Sequence, residues 1–441
     1  MSIQRGEWWT IIRASLGGAL EFYDFVIYGI FAQYIGQQFF PATDPVVSLM
    51  LSLAVFAIGY LARPLGGIVL SHFGDKYGRR RIFIATILGM SCATTAIGLL
   101  PGYATLGYAA PAIMILLRLI QGICLGGELP GAITYVVETV PRQANFVGGV
   151  IFFCVNTGVG LASVLSLIVN TTLEPSQVAE WGWRVGFLFG GVCGLLSFWL
   201  RLSLEETGSF KKLAHATTKV PVVEVFRKYP AQVVVGVAAL AASGGFNGLL
   251  FTAPAFFVPM MHYPAKEVIG AENIGLAVGS IGLLTVSWLG DRMPRRRLLA
   301  FGGFLLMALG YPFYSAADAR MFDLSLLFVG VGLVAAFFHG TFMGVAADLF
   351  PTRIRFSGVA LILNISFTVF SGLAPLAAVN LVKLTGSNTG PAWFTGLCGL
   401  LTLCAGLVLK KYDGQIKREL ALGVASDEEP EISAEPNAQA L

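Results

Sequence analysis

Apolar stretches of about 20 residues, the length that crosses the hydrocarbon core of a bilayer, recur about twelve times along this chain. They lie near 11–36, 46–72, 82–100, 110–137, 146–172, 184–203, 232–259, 267–290, 298–315, 322–349, 356–383 and 391–410. The pattern predicts an all-α membrane protein with twelve transmembrane helices, and an even number of spans leaves both ends on one side. The longest polar connection, 204–231, carries Glu205, Glu206, Lys211, Lys212, Glu224, Arg227 and Lys228. It separates an N-terminal bundle of six spans (1–203) from a C-terminal bundle of six (232–410). The last segment, 411–441, is polar and acidic, with Pro430 and Pro436 among Asp427, Glu428, Glu429, Glu431 and Glu435. It reads as a disordered tail.

The polar connections repeat as well. Gly74, Asp75, Lys76, Tyr77, Gly78, Arg79, Arg80 and Arg81 return as Gly290, Asp291, Arg292, Met293, Pro294, Arg295, Arg296 and Arg297, an offset of 216 residues. Glu138, Pro141 and Gly148 return as Asp348, Pro351 and Gly358, an offset of 210. Two repeats in register imply two pseudo-symmetric halves, the architecture of secondary transporters with a substrate site between the repeats.

Composition narrows the class. Charged residues are 12% of the chain, hydrophobic residues 56%, and the mean hydropathy is +0.74, which a water-exposed globular surface does not tolerate. Of 29 Lys and Arg, 23 fall in segments on the side of the N-terminus, and only Arg184, Lys266, Arg320 and Lys383 fall in the opposite connections. The positive-inside rule then places both termini in the cytoplasm. The net charge of +4 follows from this topology and offers no surface suited to nucleic acid. Cys92, Cys124, Cys154, Cys193, Cys398 and Cys404 lie in the apolar stretches at no metal-ligand or redox spacing and read as buried packing residues. The first apolar stretch is long and contains two acids, so it reads as a retained span and not a cleaved signal. Many of the 53 glycines, among them Gly122, Gly126, Gly127 and Gly158, sit within spans, where small residues let helices approach closely.

These residues resemble the major facilitator superfamily. Its hairpin motif, Gly-x-x-x-Asp-Arg/Lys-x-Gly-Arg-Arg/Lys, matches from Asp75 to Arg80 with Ser71 at the leading glycine, and again from Asp291 to Arg296 with Ser287 and Pro294 as departures. Within it the chain is similar to the metabolite:proton symporters, the group of the alpha-ketoglutarate permease and the proline/betaine transporter. That likeness rests on Glu21-Phe22-Tyr23-Asp24-Phe25, Arg63-Pro64-Leu65-Gly66-Gly67, Arg118 through Gln121 and Gly122 to Gly126-Gly127-Glu128, Glu180-Trp181-Gly182-Trp183-Arg184, and Arg201 to Thr207 with Phe210. It departs in span seven, where tyrosines are common in that group and Phe246, Asn247, Phe251, Phe256 and Phe257 stand here. The resemblance implies a multi-pass protein of the bacterial inner membrane that uses no cofactor beyond the proton. Its partners would be a small-molecule substrate and the bilayer, and a monomer suffices.

Glu21, Asp24, Arg63, Arg118 and Glu128 are ionisable residues well inside N-terminal spans. Each costs about 2.5–3.5 kcal/mol near the bilayer centre on insertion scales, so each needs a partner or a watery cavity. Glu21, Asp24 and Tyr28 share one helical stripe. At about 1.5 Å rise per residue, Glu21, Arg63 and Glu128 can meet at one depth, with Arg118 above them nearer Asp24. Three carboxylates against two guanidiniums leave one acid in surplus. Arginine keeps its proton, whereas a carboxylate taken out of water can load and unload one, which makes Asp24, or Glu21 beside it, the expected proton carrier with Arg118 as its partner. Related proton-coupled members pair a span-one acid with a span-four arginine in the same way. Arg63 either locks Glu21 or Glu128 or offers its fork to a substrate carboxylate. Asn156, Asn247, His339 and Asn364 are candidate polar groups of the substrate site, each equally readable as packing or interhelical hydrogen bonding.

The repeated hairpins have a plain topological reading, that basic loops stay inside. The resemblance implies more, a cytoplasmic gate. Asp75 would face the N-terminus of span eleven and Asp291 that of span five, Arg79 and Arg80 would pair with Glu138, and Arg295 and Arg296 with Asp348. The reading these features favour is proton-coupled uptake of an organic acid or zwitterion by alternating access. Export of a siderophore, drug or amino acid is the alternative, weakened because the drug antiporters' Gly-x-x-x-Gly-Pro-x-x-Gly-Gly has no match in Gly148–Leu165. A transporter-like nutrient sensor belongs to another class, and the short tail argues against it. No metal-ligand set, nucleophile motif or phosphate loop points to an enzyme.

Overall fold

A computed structural model describes residues 5–43, 45–202, 221–250, 253–412 and 414–421. Eleven helices among them are long and apolar enough to cross a membrane, and Arg5–Ile30, interrupted by its two acids, makes the twelfth. In chain order the spans are α1 Arg5–Ile30, α2 Pro45–Tyr77, α3 Arg79–Leu99, α4 Ala109–Thr139, α5 Ala144–Thr172, α6 Trp183–Arg201, α7 (Pro230–Ala239, Ala241–Leu250 and Ala253–Met261), α8 Ala265–Arg292, α9 Arg295–Asp318, α10 (Leu324–His339 and Phe342–Asp348), α11 (Arg355–Ser366, a π turn Phe367–Ser371, and Gly372–Thr385) and α12 Pro391–Val408. Large apolar side chains such as Leu61, Leu116, Leu167, Trp199 and Leu407 stay exposed on the outer surface. Helices apolar on every face suit a lipid-surrounded bundle.

Proline and glycine set the boundaries. Pro45, Pro230 and Pro391 open helices at the position where a missing N–H costs nothing. The two hairpins turn by different means. Gly78 takes a positive φ of 106° between α2 and α3, whereas Pro294 holds φ at −59° between α8 and α9, so the second copy of the motif needs no glycine there.

In the N-terminal half α2 packs on α4, α1 on α5 and α3 on α6; in the C-terminal half α8 packs on α10 and α9 on α12. The α2–α4 crossing is backbone against backbone: a Cβ on Gly126 would lie 2.1 Å from the Arg63 carbonyl, and one on Gly122 2.2 Å from that of Gly59. The halves meet where α5 lies along α8 and where α11 lies against α2 and α4.

Three expectations change. Pro221–Lys228, within the expected central loop, is helical with Val225 buried, and Glu224 pairs with Lys228 and with Arg353; residues 203–220 lie outside the described ones. Of the expected disordered tail, Gln415–Ala421 is a helix whose Glu419 is buried, because Asp348 and Arg355 hold it; 422–441 lie outside the described residues. Cys92 and Cys404 are exposed on the outer surface and only Cys398 is fully buried, as an apolar thiol is equally at home against lipid.

Candidate functional site

Asp24 lies six residues before the end of α1 and is 3% exposed. Its Oδ2 accepts from Thr94 of α3 at 2.5 Å, Thr94 accepts from the Gln121 amide at 2.8 Å, and Gln121 accepts from Arg118 at 2.8 Å. Acid and guanidinium are thus joined through two neutral side chains, and Asp24 Oδ1 has no hydrogen-bond partner among the described residues. Gly190 keeps this place open, since a Cβ there would meet Oδ1 at 2.5 Å. The Arg118 guanidinium lies 4.3 Å from the Tyr28 ring centre and 5.4 Å from that of Phe56, a cation–π setting that holds a charge in an apolar bundle. Tyr28 itself donates to the Ser52 carbonyl at 3.3 Å.

Glu128 does not share a site with Arg63. It accepts from Thr86 at 2.6 Å and pairs with Arg201 of α6 at 2.6 Å, both members sealed from solvent. Arg201, expected among the basic residues at the hairpin end, is fully buried, donates to the Phe83 and Ala14 carbonyls at 3.1 Å and lies 3.7 Å over the Phe83 ring. The charge tally changes with it. In the N-terminal spans three guanidiniums now stand against three acids, so the surplus expected there vanishes, and what distinguishes Asp24 is its indirect link to Arg118. The side chain of Glu21 lies outside the described residues. Arg63, 1% exposed, lies 5.7 Å from the Tyr60 ring and 5.8 Å from the ring of Phe367 in the π turn of α11, on the boundary between the halves.

Across that boundary, His339, Asn247 and Asn156 line one small cavity. Two of them sit on broken helices: His339 ends the first segment of α10, and Asn247 lies in the middle segment of α7. Interrupted helices are tolerated at membrane depth where they line a cavity. Asn156 donates to Ser280 of α8 at 2.8 Å. Phe152, Phe246 and Phe338 pack around the imidazole with ring centres 4.6, 5.6 and 4.8 Å away. Asn364 is placed elsewhere. It donates to the Gly126 carbonyl at 2.8 Å and ties α11 to α4.

The hairpin end is closed by contacts between the halves. Asp291 accepts the Asn145 and Phe146 N–H groups at 2.9 Å, at the start of α5, which uses the unpaired donors of a helix N-terminus. Arg295 lies 3.6 Å from Asp291 and 3.9 Å from Asp348. Glu138 takes Arg355 at 3.1 Å, and Arg355 also holds Glu419 at 2.6 Å. Asp348 caps the last helix through the Gly414 and Ile416 N–H groups at 2.7 and 2.8 Å. Arg80 donates to the Leu202 carbonyl at 2.8 Å, and Arg296 is partly buried. The side chains of Asp75 and Arg79 lie outside the described residues, but a Cβ on the adjacent Gly74 would meet the Phe356 ring of α11 at 2.3 Å.

Sequence reading missed Thr94, Gln121, Arg201, Asn145, Arg355 and Glu272. Asn145 donates to the Ser287 and Gly340 carbonyls at 2.9 and 2.8 Å, tying α5 to α8 and α10. A signal for two of them existed: Asn145 and Arg355 stand 210 apart, in register with the repeat of Glu138 and Asp348.

The sequence matches the profile of the Major Facilitator Superfamily over residues 14–375. It is 32% identical over 420 residues to the proline/betaine transporter of Salmonella typhimurium, covering 91% of this chain and 83% of that protein. It is 31% identical over 403 residues to the citrate-proton symporter of Klebsiella pneumoniae, covering 90% of each. Among solved structures, a proton:xylose symporter bound to 6-bromo-6-deoxy-D-glucose superposes with a TM-score of 0.76 at 16% identity, over 92% of this chain and 95% of that one.

Proposed function

We propose, from the premise that this chain belongs to the major facilitator superfamily, that it is a proton-coupled symporter that takes up a small organic acid or zwitterion by alternating access. The observation that carries the coupling is Asp24, buried and joined to Arg118 through Gln121 and Thr94. A directly paired carboxylate would be held ionised, whereas one linked at a distance can exchange its proton when the path to water changes. The substrate is held between Arg63 in the N-terminal half and His339, Asn247 and Asn156 around the cavity, with the Tyr28 ring screening Arg118. The test is uptake by the purified protein in proteoliposomes. Accumulation of a carboxylate or zwitterion under an imposed inside-alkaline gradient, abolished by a protonophore, is expected; uptake that ignores the gradient rejects coupling.

The hairpin end faces the cytoplasm in this reading, supported by the 23 basic residues on that side. A cysteine at Met293 is expected to react with an impermeant maleimide only from the inside. The contacts of Asp291, Arg295, Glu138 and Arg355 then hold the inner gate shut, with Asp75, Arg79, Arg80, Arg296 and Asp348 completing it. A carboxylate at a helix N-terminus is worth about 0.3–1 kcal/mol, so Asp291→Asn is expected to raise cytoplasmic labelling of a cysteine at Ser280 by a few-fold. Unchanged labelling would remove Asp291 from the gate.

A further inference from the structure

The cavity between α5, α7, α8 and α10 has a hydrogen-bonding pattern that selects among substrates, and a substrate class read from that pattern rests on the proposed transport function. We propose that this cavity binds an uncharged hydroxyl, and that the transported metabolite is therefore a hydroxylated monocarboxylate whose carboxylate is turned toward the N-terminal half.

Among the described residues no charged side chain lines the cavity; its polar members are His339, Asn247 and Asn156, and its walls include Phe246, Leu276 and Phe328. His339 is 5% and Asn247 4% exposed. The imidazole hydrogen-bonds the Ser243 backbone, and its Nε2 has no partner among the described residues. A backbone carbonyl can only accept, so Nδ1 carries the proton and Nε2 presents a lone pair. The Asn247 amide nitrogen is a buried donor without a partner among the same residues. Asn156 spends its N–H on Ser280, which leaves its carbonyl oxygen as an acceptor. The set is thus two acceptors and one donor. A hydroxyl, which gives one proton and accepts another, satisfies His339 and Asn247 together and leaves the Asn156 carbonyl for a second donor. A carboxylate has no proton for Nε2, an ammonium has no lone pair for Asn247, and neither finds a counter-charge on the walls. Buried polar atoms left without partners carry a desolvation penalty that a ligand hydroxyl relieves.

Glu272 lies near the same cavity on α8. It lies three, four and seven residues before Gly275, Leu276 and Gly279, which line the cavity, so it shares their face of α8 one turn further from the hairpin end. It is partly buried, and no ion pair or hydrogen bond engages it among the described residues.

The experiment measures the thermal stability of the purified full chain with a ligand panel: glycerate, gluconate and quinate; propionate, hexanoate and cyclohexanecarboxylate as their hydroxyl-free counterparts; citrate; and glycine betaine. Ligands that bind the folded state raise its melting temperature. Stabilisation is expected from a hydroxylated monocarboxylate, with affinity about tenfold above that of its counterpart, the worth of one net hydrogen bond. His339→Phe is expected to bring that ratio near one, and His339→Gln, which keeps an acceptor, to preserve part of it. Equal affinity for the hydroxyl-free acids, stabilisation by citrate or betaine instead, or by none of the panel, overturns the inference. Proton-driven uptake of betaine would overturn it while leaving the symport reading intact.

Discussion

Asp24→Asn is expected to abolish accumulation of substrate against its gradient while leaving exchange of substrate across the membrane in place. Asparagine keeps the size of the side chain and an oxygen to accept from Thr94, so the α1–α3 packing survives. What it lacks is a site that gains and loses a proton. A gradient of about two pH units is worth about 2.7 kcal/mol per proton, enough to concentrate a coupled solute about a hundredfold, and that factor should fall to unity. Radiolabelled uptake and counterflow on the same vesicles separate the two outcomes. Loss of both signals a misassembled protein, which a melting curve detects. Accumulation equal to that of the unaltered protein removes Asp24 from the coupling role. Glu21, three residues earlier on the same helix, is then tested by the same substitution.

Arg201→Met is expected to be the most destabilising single change in the N-terminal half. The Glu128–Arg201 pair is fully buried, and Arg201 also serves two carbonyls. Removing one partner from a buried ion pair typically costs about 3–5 kcal/mol, because the other charge is left without compensation. The double variant Glu128→Leu with Arg201→Met removes both charges and is expected to recover most of the loss. Melting temperatures in detergent measure all three proteins. An Arg201→Met protein as stable as the parent, or a double variant worse than the single one, rejects the assignment of this pair as a structural lock. The same measurement separates the two acids, since Asp24→Asn is expected to leave stability nearly unchanged.

Depth alone places Glu128 beside Arg63 and counts one guanidinium too few. The error came from Arg201. It closes α6 just before a polar connection and so reads as a loop residue, yet its long side chain reaches back over Phe83 to Glu128, as arginine stems commonly do at helix ends. The contact of the second hairpin was more legible. Asp291 meets the start of α5 where the resemblance implies it would, because the motif is local to a hairpin and its target is a helix N-terminus. The neighbouring ion pairs were not legible: Arg355 holds Glu138 and Glu419 together from three distant parts of the chain.

The sequence by itself determined what depends on local composition: twelve apolar lengths, the two-fold repeat, the hairpins at the ends of α2 and α8, and the residues whose charge demands a partner. Tertiary structure alone decided which partner each one takes. In a helix one residue of difference turns a side chain by about 100°, so apolar length reports that a segment crosses the membrane while saying little about the direction its polar groups face. For that reason Asn364 ties two helices, His339 and Asn247 share a cavity, and Asp24 stands apart from its arginine. Packing fixes those rotations through contacts between residues hundreds of positions apart.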